Sequence, residues 1–200
     1  MLTRRDLLAY SAATAALLAA GPRAWAQAGG GATNFIVTLG NQLAAIVNAP
    51  GGYEDKKRRL APLIEQAVDI DGIARFCLGR FLRTATPDQQ ARFAQTFHAV
   101  LINNIAGKLG EFQGVTFAPT STTQREGETL VGTVIHRPNQ QPNNVQWVVS
   151  TATGQMKIVD VVAEGTSLRL TQRSDYSAYL TRNNNNVDAL ITAMRQQVAG

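Results

Sequence analysis

Residues 129–164 read "TLVGTVIHRPNQQPNNVQWVVSTATGQMKIVDVVAE", and this stretch decides the fold. It holds three short runs rich in β-branched residues, separated by "PNQQPNN" and "TGQ", which are typical of turns. A fourth such run, "VTFAPTST" at residues 115–122, lies upstream across the turn-like "REGE". Four short strands in succession predict a small antiparallel sheet of about four strands. In the last run, Ile158 and Val161 share a face only if a β-bulge lies between them.

Helical patterns lie on both sides of the strands. Upstream, apolar residues recur at helical spacing over residues 35–47 and 53–68, and a short helix is predicted through "GIARFCLGRF" at residues 72–81. "TPDQ" at residues 86–89 is a capping box that begins a long helix. Further helices are predicted after Gly165. Helices, then strands, then helices indicate an α+β protein whose N- and C-terminal helices cover the sheet.

The first 26 residues have the layout of an export signal. A charged start with Arg4 and Arg5 precedes an apolar stretch and a small-residue end at residues 24–26. The arginine pair predicts a twin-arginine signal, and a general secretory signal is the alternative. Cleavage after Ala26 would leave a flexible Gly/Ala tether at residues 27–32 and a single domain at residues 33–200. Export predicts a periplasmic protein.

The charge is modestly basic, at +5 for the whole chain. Removing the signal takes away a net charge of two, which leaves +3 on the mature chain. Together with export, this makes nucleic acid an unexpected partner. Anionic lipid headgroups or acidic proteins are the favoured partners of the basic residues.

Residues that would carry chemistry are sparse. The single cysteine, Cys77, cannot form an internal disulfide and lies in an apolar run, so a buried thiol is favoured over a reactive one. His98 and His136 have no accompanying Cys/His cluster, so no metal site is predicted. Phosphate-binding glycine motifs are absent from the sequence. We expect no cofactor and no enzymatic activity.

Three stretches together resemble one family. They are "DIDGIARFCLGRFLRTATPDQQARFAQTFHAVL", "WVVSTATGQMKIVDVVAEGTSLRLTQRSDYSAYL" and "NNNNVDALITAMR". Their order and spacing resemble the MlaC family, also called the toluene-tolerance auxiliary family, over roughly residues 35–198. The resemblance implies a periplasmic lipid carrier whose sheet and helices enclose a deep apolar cavity for phospholipid acyl tails. It also implies two partners, an inner-membrane MCE-domain ABC transporter and an outer-membrane lipoprotein complex. The twin-arginine signal departs from the family's commoner export route. A related branch is associated with hopanoids, so a hopanoid or another terpenoid is the alternative cargo.

Such a cavity has a physical requirement. Two acyl tails carry about thirty methylenes, and hiding them from water is worth about 25 kcal/mol. Aliphatic and aromatic side chains must therefore line the site, and the candidates are Phe93, Phe97, Leu101, Val131, Trp147, Val149 and Ile158. Ordinary core packing explains each of them equally well.

Two groups of arginines are candidates for polar contacts. Arg75, Arg80 and Arg83 lie in "RFCLGRFLR", and one or two of them are expected at the cavity mouth against lipid phosphate, which arginine binds through two parallel hydrogen bonds. Surface ion pairs or packing over the core are the alternative. Arg169 and Arg173 are four residues apart and are expected to dock a partner, or to lie on a solvated helix face.

Two other classes of function compete with a lipid carrier. An enzyme on a similar α+β fold would place a polar acid–base pair inside the pocket. A structural or adaptor protein would have a filled core.

Overall fold

The computed structural model describes residues 21–108, 113–138 and 140–199. The helices are α1 (Gly21–Asn48), α2 (Tyr53–Ala67), α3 (Ile70–Leu78), a short 3-10 helix (Gly79–Arg83), α4 (Pro87–Gly107), α5 (Leu168–Arg182) and α6 (Val187–Ala199). The strands are β1 (Thr116–Arg125), β2 (Glu128–His136), β3 (Asn143–Ser150), β4 (Lys157–Ala163) and β5 (Thr166–Ser167). The predicted α+β class is confirmed.

The strands form one antiparallel sheet in the order β1-β2-β3-β4-β5, as a meander predicts. The last strand has two residues and was not predicted, because so short a strand leaves no alternating pattern. It forms because Glu164 and Gly165, with φ of 52° and 79°, make a tight turn after β4.

The bulge expected in β4 is present. Val149 pairs with Ile158 and Val148 pairs with Asp160, so Val159 is the extra residue. Ile158 and Val161 consequently pack against the same apolar cluster. The bulge thus extends the apolar face of the sheet to the end of β4.

Local signals begin two of the helices, and the capping box among them is the one predicted above. The Asp69 side chain accepts a hydrogen bond from the Gly72 backbone N–H at 3.0 Å and caps α3. At α4, Thr86 and Gln89 form the reciprocal capping box, with distances of 3.2 and 3.0 Å. Pro62 lies inside α2, which runs unbroken from Tyr53 to Ala67.

Most helices share one core. Phe93 and Phe97 of α4 lie against Tyr176 of α5, with ring centroids 5.8 and 6.4 Å from the tyrosine ring. Arg92 bridges Asp88 of its own helix and Asp188 of α6, both at 2.7 Å. This core joins residues of α2 to α6 with Val47 at the end of α1 and forms one layer of the molecule.

Helix α1 begins much earlier than predicted. Residues 27–32, predicted as a flexible tether, lie within α1, and Ala32 is only 2% exposed. The helix comes close to the sheet at Gly40, where a Cβ would lie 3.2 Å from the Phe117 ring, whereas a Cβ on Gly30 would meet nothing within 4 Å. Ala32 and Gly40 therefore serve close packing. Residues 1–20, most of the predicted export signal, lie outside the described residues, so cleavage after Ala26 stays a prediction.

None of the helices in the described part of the chain combines the length and apolar character that crossing a bilayer requires.

Candidate functional site

The inner face of the sheet carries a second apolar cluster, which we call the inner apolar layer. Its buried members are Ala32, Ile36 and Leu39 of α1, Ala67 of α2, and Val131, Val149 and Ile158 of the sheet. Trp147 and Val161 connect it to a third cluster, formed by Val115, Ile135 and Val145. One apolar surface therefore runs along the inner face of the sheet beneath α1.

The predicted cavity residues divide between two places. Val131, Trp147, Val149 and Ile158 come together in the inner apolar layer. Phe93, Phe97 and Leu101 lie instead in the core between the helices. Leu43 and Val68 touch both clusters, so the two groups adjoin without forming a single lining.

The inner apolar layer is closed in this conformation. Val131 is 0% exposed, Val149 2% and Ile36 3%, so even a water-sized sphere barely reaches them. Ile36 and Leu39 of α1 belong to the same packed cluster as Val131 and Val149, whereas Trp147 and Val161 of that cluster are only partly buried. The physical reason is that an apolar sheet face left open to water costs about 25 cal/mol per Å2, and α1 provides the cover.

A small hydrogen-bond network lies within this apolar surface, and its polar groups are paired with one another. The Trp147 indole N–H donates to the Thr133 hydroxyl at 2.9 Å, and Thr133 donates to the Val145 carbonyl at 3.3 Å. Buried polar groups paired in this way cost little. The network fixes the orientation of the Trp147 ring at the junction of the two sheet clusters.

The three mouth candidates lie at the surface of the helices. Arg75, Arg80 and Arg83 are all exposed. The Arg80 guanidinium lies 4.8 Å from the Phe81 ring centroid and donates to the Thr181 hydroxyl of α5 at 3.3 Å. Arg80 is therefore oriented toward α5.

Arg169 and Arg173 have different surroundings. Arg169 is half-buried and pairs with Asp160 at 3.4 Å and Glu128 at 3.8 Å. Arg173 is exposed, and its guanidinium lies 4.9 Å from the Phe76 ring centroid. Its Nε atom lies 3.0 Å from where a Cβ on Gly79 would be. Gly79, at φ 57°, thus ends α3 and leaves room for Arg173.

Cys77 is buried, as expected. It is 1% exposed, and its Sγ contacts the Arg169 carbonyl at 3.7 Å. Burial raises the pKa of the thiol to about 12, with Arg173 opposing the shift. Such a thiol stays protonated and unreactive at neutral pH.

Catalytic or metal-binding groupings do not stand out. Within the described residues, no group of three or more His, Cys, Asp or Glu side chains is placed to hold a metal. His98 lies 3.1 Å from Glu65, linking α4 to α2. An open groove of about 370 Å3 on the sheet is lined mainly by polar residues of β1 to β4, among them Thr120, Asn144 and Gln146.

Sequence reasoning missed the α1 side of the inner apolar layer. Ile36 and Leu39 lie within the helix predicted over residues 35–47 but were not named as site candidates, and Ala32 continues their spacing one turn before its predicted start. The glycines at residues 29–31 obscured it, because glycine is typical of linkers as well as of close helix packing.

Two known proteins are similar to this chain, one in sequence and one in fold. A curated relative, "Toluene tolerance protein ttg2D" from Pseudomonas putida, is 27% identical over 150 residues, which are 74% of this chain and 67% of that protein. A solved structure from Ralstonia solanacearum, described as a phospholipid-binding protein in complex with a phospholipid, superposes with a TM-score of 0.74 at 19% identity. It covers 84% of this chain and 97% of its own, so the two share a fold.

The family assignment follows from a family model. The model described as "MlaC protein" matches residues 38–196, from the middle of α1 to the end of α6. Since these residues make up most of the chain, the chain belongs to the MlaC family.

Proposed function

We propose that this protein is a periplasmic lipid carrier that holds the acyl tails of a phospholipid against the inner face of its sheet. The observation that carries the proposal is the continuous apolar surface beneath α1, from Ile158 to Val115. The phospholipid bound in the structural neighbour from Ralstonia solanacearum supports the same ligand class.

The closed inner apolar layer requires a moving wall. Acyl tails cannot enter where α1 already fills the space, so α1 must swing away or slide when lipid enters. The segment between α1 and α2, residues 49–52, contains Pro50 and two glycines, and Gly51 has φ 130°. This segment is suited to act as a hinge, and lipid tails would replace the contacts that Ile36 and Leu39 make with the sheet.

The finer parts of the proposal concern partners and cargo. Family membership and the predicted export signal support a shuttle between an outer-membrane lipoprotein complex and an inner-membrane MCE-domain transporter. A hopanoid would suit the same apolar surface and remains the alternative cargo. Contact of Arg75 or Arg83 with a headgroup phosphate stays a prediction, whereas Arg80 has a neighbour of its own in Thr181.

Native mass spectrometry tests the carrier proposal. The mature protein is purified from the periplasm, its mass is measured under native conditions, and its lipids are extracted and identified. We expect a stoichiometric adduct with the mass of a phospholipid. A hopanoid adduct would change the cargo, and a bare protein that also fails to take up added phospholipid would contradict the proposal.

A matched pair of variants locates the site. Val131→Trp places a bulky ring in the inner apolar layer, and Val134→Trp places the same ring on the opposite face of β2. We expect at least a tenfold lower lipid occupancy in Val131→Trp and wild-type occupancy in Val134→Trp, with both checked for folding by circular dichroism. Equal occupancy in the two variants would place the lipid elsewhere.

A further inference from the structure

The two apolar clusters on the inner face of the sheet meet at a pair of residues on β3 and β4. On β3, Val149 belongs to the inner apolar layer and Val145 to the third cluster, and Trp147 lies between them on the same face. Trp147 pairs with Val161 of β4, and both residues pack against both clusters. We call Trp147 and Val161 the junction pair.

The junction pair is more open to solvent than the clusters on either side of it. Each buried member of the inner apolar layer and of the third cluster is at most 8% exposed, whereas Trp147 and Val161 are only partly buried. Other partly buried residues, such as Phe35 and Met156, border the inner apolar layer but not the third cluster. Among the described residues, both clusters therefore meet a surface that water can reach only at the junction pair.

The Trp147 ring is held in one orientation. Its indole N–H donates to the Thr133 hydroxyl at 2.9 Å, and Thr133 is paired in turn with the Val145 carbonyl. Turning the ring away would leave this N–H without its partner, which is costly in a partly buried place. A tryptophan suits the border between an apolar interior and water, because its ring is apolar and its N–H finds a polar partner. The ring is thus a fixed feature of the junction.

A phospholipid makes two demands on its binding site. Its two tails gain free energy by leaving water, whereas its charged phosphate is costly to bury. The tails are also joined at a single polar end. Two apolar compartments that are reached from one opening meet these demands, and the two clusters with the junction pair between them have that arrangement.

We infer that Trp147 and Val161 form the mouth of the lipid site, where a diacyl lipid keeps its polar end outside and sends one tail into each cluster. The inference rests on the proposed function and deepens it, because it assigns the mouth and the class of cargo. Two flexible tails divide at the junction, whereas the fused rings of a hopanoid form one rigid body that cannot. Trp147 is then the residue that the tails contact next to the glycerol.

The fluorescence of Trp147 tests the position of the mouth. The tryptophans of the chain are Trp25 and Trp147, so cleavage after Ala26 leaves Trp147 as the sole reporter. The mature protein is loaded with phosphatidylethanolamine that carries bromine, a contact quencher, near the glycerol, in the middle of the tails or near their methyl ends. We expect quenching by bromine near the glycerol to be at least twofold stronger than by bromine near the methyl ends. Trp147→Phe/Phe117→Trp moves the reporter into the third cluster, where this order should reverse.

A single-tailed lipid tests the division of the tails. By native mass spectrometry we expect the wild type to hold two molecules of lysophosphatidylethanolamine. Val131→Trp and Ile135→Trp, which fill one cluster each, should hold one molecule, and each should retain at least tenfold less diacyl phospholipid than the wild type. Val134→Trp, on the opposite face of β2, is the matched control and should hold two. Circular dichroism checks that every variant is folded.

Several results would overturn the inference while leaving the carrier proposal intact. Stronger quenching by bromine near the methyl ends would place the tips of the tails at Trp147. Equal quenching from all three positions would show that the tails do not begin at the junction pair. A single lysophosphatidylethanolamine in the wild type would mean that the two clusters act as one compartment. A folded protein that binds neither the diacyl nor the single-tailed lipid would contradict the carrier proposal itself, and this inference with it.

Discussion

At the scale of single residues, the motif around Asp160 and Ser167, within the second of the three stretches that resemble the MlaC family, has a structural role. The buried Asp160 carboxylate accepts hydrogen bonds from the backbone N–H groups of Val161 at 2.8 Å and Arg169 at 3.0 Å, and from the Ser167 hydroxyl. Ser167 in turn caps α5 by accepting from the Leu170 N–H at 3.1 Å. The motif therefore identifies the fold through the β4–α5 junction and does not by itself identify a ligand.

The same residues show why site prediction from sequence was incomplete. Burial of Cys77 follows from its apolar neighbours, so the sequence was sufficient there. Both guanidinium groups lie against the Phe76 ring, at 5.0 and 4.9 Å from its centroid. Arg169 differs from Arg173 because it also pairs with Asp160 and Glu128, which lie on strands of the sheet. Spacing along a helix shows which residues share its face, and it does not show what lies opposite.

The buried Cys77 thiol and Tyr176 phenol predict a loss of stability at alkaline pH. Burial raises the pKa of Cys77 from an ordinary 9.0 to about 12, and burial followed by repulsion from Cys77 raises that of Tyr176 above its usual 10. The folded state keeps protons that the unfolded chain releases, so stability is fully present below pH 9 and falls as pH rises toward 12. At pH 10.5 the loss from Cys77 alone is on the order of 2 kcal/mol.

Urea unfolding at pH 8 and pH 10.5 checks this pH dependence. We expect Cys77→Ala/Tyr176→Phe to lose clearly less stability between the two pH values than the wild type. The comparison is between pH values within each protein, because the substitutions also remove core packing. An identical alkaline loss in both proteins would mean that other groups are responsible.

At the scale of elements, the strands and most helix boundaries follow from local signals: turn residues, alternation, the capping box at Thr86 and the cap at Asp69. The role of α1 does not. The Gly and Ala residues at residues 27–32 are typical both of a flexible linker and of a closely packed helix. Only their packing in the folded protein distinguishes the two. Likewise, the pattern of apolar residues along a strand does not show whether the sheet face that they form borders a cavity or is covered by a helix.

A cross-link tests whether α1 is the moving wall of the lipid site. The hydroxyl oxygens of Thr33 on α1 and Thr122 on β1 lie 2.7 Å apart, so cysteines at these two positions are close enough to form a disulfide. We expect the oxidised Thr33→Cys/Thr122→Cys protein to take up fluorescent phosphatidylethanolamine from vesicles at least tenfold more slowly than the wild type. Reduction should restore the rate.

The single-cysteine variants under the same oxidant are the control for this cross-link, and the native Cys77 is buried and should not interfere. Uptake by the oxidised double variant at the wild-type rate would show that lipid enters without displacement of α1 from β1.

At the scale of the whole molecule, the structure has two main apolar layers that differ in the elements that cover them. The core among α2 to α6, which also takes in Val47 at the end of α1, is tied by aromatic packing and by the Arg92 bridges. The inner apolar layer is covered mainly by α1, with Ala67 of α2 beside it. A helical core tied across several elements and a cover formed mainly by one helix suit the proposed carrier, which must open without unfolding. The lipid site exists only in the folded state. Bound lipid should therefore raise the free energy of unfolding.

Lipid removal therefore predicts a lower melting temperature. The mature protein is stripped of lipid by unfolding and refolding in the absence of lipid, and its Tm is compared with that of protein reloaded with phosphatidylethanolamine. At lipid concentrations of 100 to 1,000 times Kd, ligand binding adds about 3 to 4 kcal/mol. For a domain of this size that corresponds to a rise in Tm of roughly 5 to 15 °C.

Val131→Trp, which fills the inner apolar layer, should show little of this rise, whereas Val134→Trp should show all of it. If stripped and reloaded wild type melt at the same temperature, the lipid does not bind in the folded interior, and the closed form beneath α1 is the functional state of the protein.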